Sequence, residues 1–361
     1  MHGSHVCTKK LPQNATITFQ ANTQDNPITA ETKISFIDGD RGILEYSGFS
    51  VEDLIRHCCY EETAFLILNK RLPTELELRD FSAKVRSEYQ LSPFQMQLIT
   101  SMPRTGSPTF VLRTLLSSMS PLHQHDSCEE SAIKLLGKMP TFVAAFERHR
   151  KGQAIVPPDP SLPIAHNFLL MLRGERPDPT VAQALDAALI LHADHGLSPS
   201  TSVARIAAST GVDLFSASAA ALCVLEGSRH GGASEGVITT LHEALRFEAA
   251  AATAGPASQA PPPGAAAAAP ARTCGGGCGR DAVRELAERK LLQRERLAGF
   301  GHRVYSGVAD PRTAHLRAIA QRVRSRARGG GGGAEGGRER SPGRGAGRKA
   351  GNTATSIPIP R

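Results

Sequence analysis

Apolar residues recur at helical spacing along most of the chain, and one early stretch departs from that rule. "KISFIDGDRGILEYSGFS" (33–50) sets β-branched and aromatic residues around Asp-Gly and Arg-Gly, the pattern of a short β-ribbon. Helical spacing begins with "VEDLIRHCCYEETAFLILNKRLP" (51–73) and is stopped by Pro73. Thr74 reads as the N-cap of the next helix, with acidic residues behind it, and residues 131–150 and 161–173 read as two more. In 178–196, Val181, Leu185, Ala188, Leu189 and His192 form one stripe. At 100° per residue His195 lies near that stripe and Asp194 points away, which predicts two histidines at the end of a buried face. Ser198 and Pro199 restart a helix as N-cap and first residue. A helix of small residues over 212–226 stops at Gly227. His230 then sits in a glycine-flanked loop before an amphipathic helix predicted to turn Val237, Ile238, Leu241 and Leu245 inward. "RDAVRELAERKLLQRERL" is a charged helix leading towards Gly299.

Two stretches predict no element. Residues 248–280 are Ala/Pro/Gly-rich, and 325–361 have the composition of a disordered basic tail. Charge adds one point: residues 321–361 hold ten Lys/Arg against two Glu, which accounts for the whole net charge of +8. The rest is balanced and the tail has no aromatic residue to stack on a base, so no nucleic-acid partner is expected. No run of 18 apolar residues predicts a membrane span, the first residues lack a secretory core, and seven irregularly spaced cysteines suit a reducing compartment. Those features together point to the cytoplasm.

The candidate chemistry centres on "GFGHRVYSGVADPR" (299–312), which joins His302 to two guanidinium groups, Arg303 and Arg312, in a glycine-hinged segment. Cations beside an imidazole suit a small polyanion. His195, His230 and His302 all stand at helix ends or glycine loops. No carboxylate or cysteine falls beside them at zinc-ligand spacing, so no metal is expected. "LHQHDSC" (122–128) offers His123, His125, Asp126 and Cys128 but reads as a solvated loop, and Cys274 and Cys278 lie in glycine.

Taken in order, these motifs resemble the citrate synthase family. "ISFIDGDRGILEYSGFSVEDL", "AFLILNKRLPT", "HNFLLMLRGERPDP", "ALILHADHGLSPSTSVAR", "SRHGGASEGV" and "GFGHRVYSGVADPR" carry the resemblance over roughly residues 31–246 and 281–320. It implies a mainly α, two-domain helical fold with a small N-terminal β-ribbon. An N-terminal extension (1–30) would precede a large domain (31–230). A small domain (231–324) would be interrupted by the insert at 248–280. It implies condensation of acetyl-CoA with oxaloacetate to citrate and CoA, with a 2-methylcitrate or alkylcitrate synthase as the alternative enzyme. His195 and Arg312 would bind oxaloacetate, His230 would hydrogen-bond the thioester oxygen, and His302 would polarise the ketone. Residues Leu297, Ala298, Gly299, Phe300 and Gly301 would receive the CoA adenine. No cofactor is implied, since the acyl-CoA is a co-substrate, and a homodimer is.

The chain departs from the family in places. Ser306 stands where a cation facing CoA phosphate is common, the His302–Arg312 loop is one residue longer, and Arg229 is unusual. The family's catalytic aspartate lies in a later stretch like "NVDFYSG", ahead of C-terminal helices that complete the large domain. The carboxylates after His302 here are Asp310, Glu335 and Glu339. This departure keeps a third alternative open, an inactive ligand-binding or assembly homologue.

Overall fold

Strands β3 (Ser35–Asp38), β4 (Ile43–Tyr46) and β5 (Phe49–Ser50) form the expected ribbon, an antiparallel sheet in the order β3-β4-β5. Ser35 pairs with Tyr46 and Ile37 with Leu44, and all four are buried, as period-2 alternation requires. A second antiparallel pair, β1 (Ile17–Phe19) and β2 (Ala30–Thr32), precedes it. The structure is a computed structural model that describes residues 17–19, 30–253, 278–295, 297, 299, 302, 304, 305 and 307–329.

Every later element among the described residues is helical. The single helix predicted over 51–73 is two, α1 (Val51–His57) and α2 (Tyr60–Asn69), separated at Cys58 and Cys59. Carboxylates stabilise the new start: Glu62 accepts from the Cys59 N–H at 2.7 Å, and distant Asp186 accepts from the Tyr60 N–H at 3.1 Å. Helix α3 (Glu75–Ser87) opens on Thr74 as read from its sequence. Helices α4 (Pro93–Ser101) and α5 (Pro108–Met119) were not foreseen, although each starts with the Ser-Pro pair that also opens the helix at Ser198. The remaining helices are α6 (Cys128–Arg150), α7 (Ile164–Arg173), α8 (Pro179–Leu191), α9 (Pro199–Ser209), α10 (Leu214–Leu225), α11 (Ala233–Thr253), α12 (Cys278–Leu292) and α13 (Pro311–Gly329). The fold is therefore mainly α with a small N-terminal sheet.

Two cores matter here. One packs Phe142, Ala145 and Phe146 of α6 against Leu115, Leu116 and Met119 of α5 and Phe215 of α10. The other joins the ribbon to α1, α8 and α13 through Ile37, Leu44, Tyr46, Leu54, Ile190, Leu191, Tyr305 and Ile319. The histidine site stands on this second core.

Three expectations need correction. The buried face of α8 is Ala182, Ala184, Ile190 and Leu191, while His192 is exposed and its Nδ1 lies 2.7 Å from the Ala188 carbonyl. The helix ends at Leu191, so a 100° count does not carry on to His192 and His195. On α11, Ile238, Leu241 and Leu245 are exposed rather than inward, at 53%, 53% and 61%. Periodicity identifies an apolar face but not a partner to cover it. Helices α11, α12 and α13 also run past the compositional boundaries at 248, 280 and 325, since alanine and arginine favour helix. None of the described helices is long and apolar enough to cross a membrane.

Candidate active site

The site begins with the β-ribbon. Tyr46 of β4 is fully buried and its hydroxyl donates to the Leu191 carbonyl at 3.3 Å, tying the sheet to the end of α8. The loop that leaves this anchored end carries His195. Opposite, the ribbon turn accepts Val304, Val308 and Ala309 against its backbone. A Cβ on Gly39 would lie 1.9 Å from the Val304 carbonyl oxygen, and one on Gly42, at φ +66°, would lie 3.3 Å from that of Ala309. Gly39→Ala is expected to displace Val304 and cost about 1–3 kcal/mol of stability, read as a lower urea midpoint.

These anchors bring His195 and His302 together around Tyr305. The two imidazole centroids are 5.1 Å apart, and the Tyr305 ring lies 5.7 Å from His195 and 5.0 Å from His302. His195 Nε2 is 3.0 Å from the Tyr305 hydroxyl. The Val304 backbone N–H donates to His302 Nδ1 at 3.1 Å. A backbone N–H can only donate, so a neutral His302 carries its proton on Nε2.

Arg312, at the start of α13, sits beside the pair. Its Nε and Nη2 grip the two oxygens of Asp310 at 2.9 and 2.6 Å. Burial alone would raise the Asp310 carboxyl, but these hydrogen bonds reverse that and hold it below the usual range. Against burial, which works the other way, Asp310 also raises the Arg312 pKa. Burial first, then the Arg312 and His302 charges, pushes His195 down to about 4. Partial desolvation by the neighbouring rings, with help from Arg312, outweighs Asp310 and lowers His302 too. At neutral pH the cluster therefore holds two neutral imidazoles and one guanidinium already matched by a carboxylate.

A histidine depressed on folding stabilises the protein above its unfolded pKa. His195 should therefore contribute fully above about pH 6.5, and the contribution should fade as pH falls towards about 4. Imidazole NMR is expected to show His195 neutral throughout pH 5–8; a midpoint near 6.5 would contradict its burial.

His230 is placed differently. Its Nε2 lies 2.9 Å from Ser200 Oγ, which is 3.1 Å from the Oγ of Ser198, the α9 N-cap. Among the described residues no hydrogen bond or ring contact joins it to His195, His302 or Arg312, so two of the three imidazoles converge and the third stands at the head of α9. Of the segment read as adenine-binding, Leu297 is half-buried and Gly299, at φ +89°, faces Val237, while Ala298, Phe300 and Gly301 lie outside the described residues, as do Arg303, Ser306 and Cys274. Among the described residues no His/Cys/Asp/Glu group could hold a metal. In the 122–128 stretch, His123 pairs with Asp126, which also binds Lys134 at 2.5 Å. Pattern reading missed Tyr305, Ser200 and the Asp310 grip on Arg312. Tyr305 and Asp310 lie inside the quoted segment, but nothing in the local pattern shows that they contact His195 and Arg312.

Residues 24–330 match the family described as "Citrate synthase, C-terminal domain". The chain is 37% identical to citrate synthase of Haloferax volcanii over 81% of its length and 71% of that protein. It is 31% identical to 2-methylcitrate synthase of Mycobacterium tuberculosis over 81% of its length and 67% of that protein. A ternary complex of carboxymethyl coenzyme A and oxaloacetate with Thermoplasma acidophilum citrate synthase aligns with TM-score 0.68 at 28% identity, covering 82% of this chain and 71% of that one. A mainly α fold with a small N-terminal sheet, shared with citrate synthases of known structure, defines the class. The chain belongs to the citrate synthase family and is an enzyme of the citrate synthase type.

Proposed function

We propose that the protein condenses acetyl-CoA with oxaloacetate to give citrate and CoA. The observation that carries this reading is the packing of His195 and His302 around Tyr305 beside Arg312. Arg312 takes a carboxylate of oxaloacetate in place of Asp310, and His195 hydrogen-bonds the same substrate. His302, protonated on Nε2 by the tautomer argument, donates to the ketone oxygen. His230 hydrogen-bonds the thioester oxygen as the α-carbon gives its proton to a base. The enolate carbon then bonds to the ketone carbon, the ketone oxygen takes a proton, and water releases CoA from the citryl thioester. A neutral imidazole suits this work because its N–H can donate a hydrogen bond to a developing alkoxide without a buried charge to desolvate.

The acyl-CoA is a co-substrate, and Leu297–Gly301 would receive its adenine. The reading includes a large domain (31–230) that carries His195 and a small one (231–324) that carries His302 and Arg312. A homodimer belongs to the same reading, since α9 has no buried residue of its own and Ile206 is half exposed, and so does a cytoplasmic location.

The similarity to a 2-methylcitrate synthase favours propionyl-CoA as a second acyl donor. A non-catalytic reading, oxaloacetate binding without turnover, rests on Arg312 being already gripped through both oxygens of Asp310. CoA release from acetyl-, propionyl- and longer acyl-CoA with oxaloacetate separates the three. Fastest release from acetyl-CoA supports the main reading, fastest from propionyl-CoA the second. Oxaloacetate binding without any release supports the third.

A further inference from the structure

Tyr305 is 5% exposed and packed into the core shared by the ribbon, α8 and α13. A phenylalanine would fill that core equally well, and a buried phenol oxygen is costly unless it is hydrogen-bonded. Its hydroxyl is spent on a single side chain, the imidazole of His195, at 3.0 Å. The ring packs against both histidines, which also touch each other, meeting His195 edge-on and His302 at a tilt.

A neutral imidazole has one donor and one acceptor nitrogen, and it can turn about its Cβ–Cγ bond unless a partner holds it. The Tyr305 hydroxyl is such a partner for Nε2, and it is rigid because its own ring is locked in the core. Tyr46 anchors the same loop from the other side through Leu191. His195 is therefore oriented twice, by its backbone and by its ring nitrogen.

We propose that Tyr305 is the positioning residue of the oxaloacetate seat, its hydroxyl fixing the plane of His195 and its ring setting the spacing to His302. This rests on the reading of His195 as an oxaloacetate ligand. Tyr305 acts through His195 and takes no part in bond making.

Calorimetry of oxaloacetate with the full chain tests both layers, using the unsubstituted protein, Tyr305→Phe, His195→Ala and the double variant. Tyr305→Phe keeps the ring and is expected to melt with the parent, yet to bind oxaloacetate about 3–10-fold more weakly, the loss of one hydrogen bond. In the double variant the Tyr305 effect should vanish, because its target is gone. The His195 imidazole resonances should shift in Tyr305→Phe, which a purely structural role would not produce. If His195→Ala binds like the parent, or the parent does not bind, the reading of His195 falls and the proposal falls with it. If His195→Ala weakens binding while Tyr305→Phe does not, or Tyr305→Phe weakens it equally without His195, the proposal alone is overturned.

Discussion

Replacing His302 by alanine is expected to lower CoA release from acetyl-CoA and oxaloacetate by about 10²–10³-fold, the usual cost of removing one donor aimed at a developing oxyanion. The reason lies in the Val304 N–H, which occupies Nδ1 and so leaves the Nε2 proton as the one a ketone oxygen can use. His302 is exposed, so the substitution leaves little cavity and should not unfold the chain. The loss should fall on kcat rather than on the KM for oxaloacetate, because the donor is needed most when charge builds on the oxygen. Steady-state kinetics of the two proteins, with matched melting curves, checks both parts. An unchanged kcat would show that His302 does not face the reacting carbonyl.

The second large effect concerns Arg312. Arg312→Leu should weaken oxaloacetate binding by about 10–100-fold, the loss of a charge-assisted pair worth about 1.5–3 kcal/mol. It should also strand Asp310, whose carboxyl is kept low by the same guanidinium, so that its pKa rises. Arg312→Lys keeps a charge but loses the two-pronged grip and should fall between the two. Calorimetric titration with oxaloacetate reads this series. Equal affinity in all three proteins would mean that Arg312 serves only Asp310.

Local rules captured much of this molecule. The ribbon at 33–50 was legible because alternation and Asp-Gly are short-range signals, and Thr74 and Ser198 were legible because caps are. What escaped depends on distance along the chain. The break before α2 needs Asp186, 126 residues away, to receive the Tyr60 N–H, and no window around Cys59 contains it. The apolar face of α11 was visible as a periodicity, but nothing nearby says whether another element covers it. The histidines could be singled out by their glycine and helix-end settings. That His195 and His302 meet around Tyr305, and that His230 bonds Ser200 instead, follows from how α8, α9 and Tyr305 pack.

Carbon NMR of the products formed from acetyl-CoA labelled at the methyl carbon, with oxaloacetate, tests the central claim most directly. The label should appear as a methylene carbon of citrate, with one CoA freed for each, and only when both substrates are present. Label that stays in acetyl-CoA, or that emerges as free acetate, would contradict it, because no bond would then have formed between the two carbons the site is arranged to join.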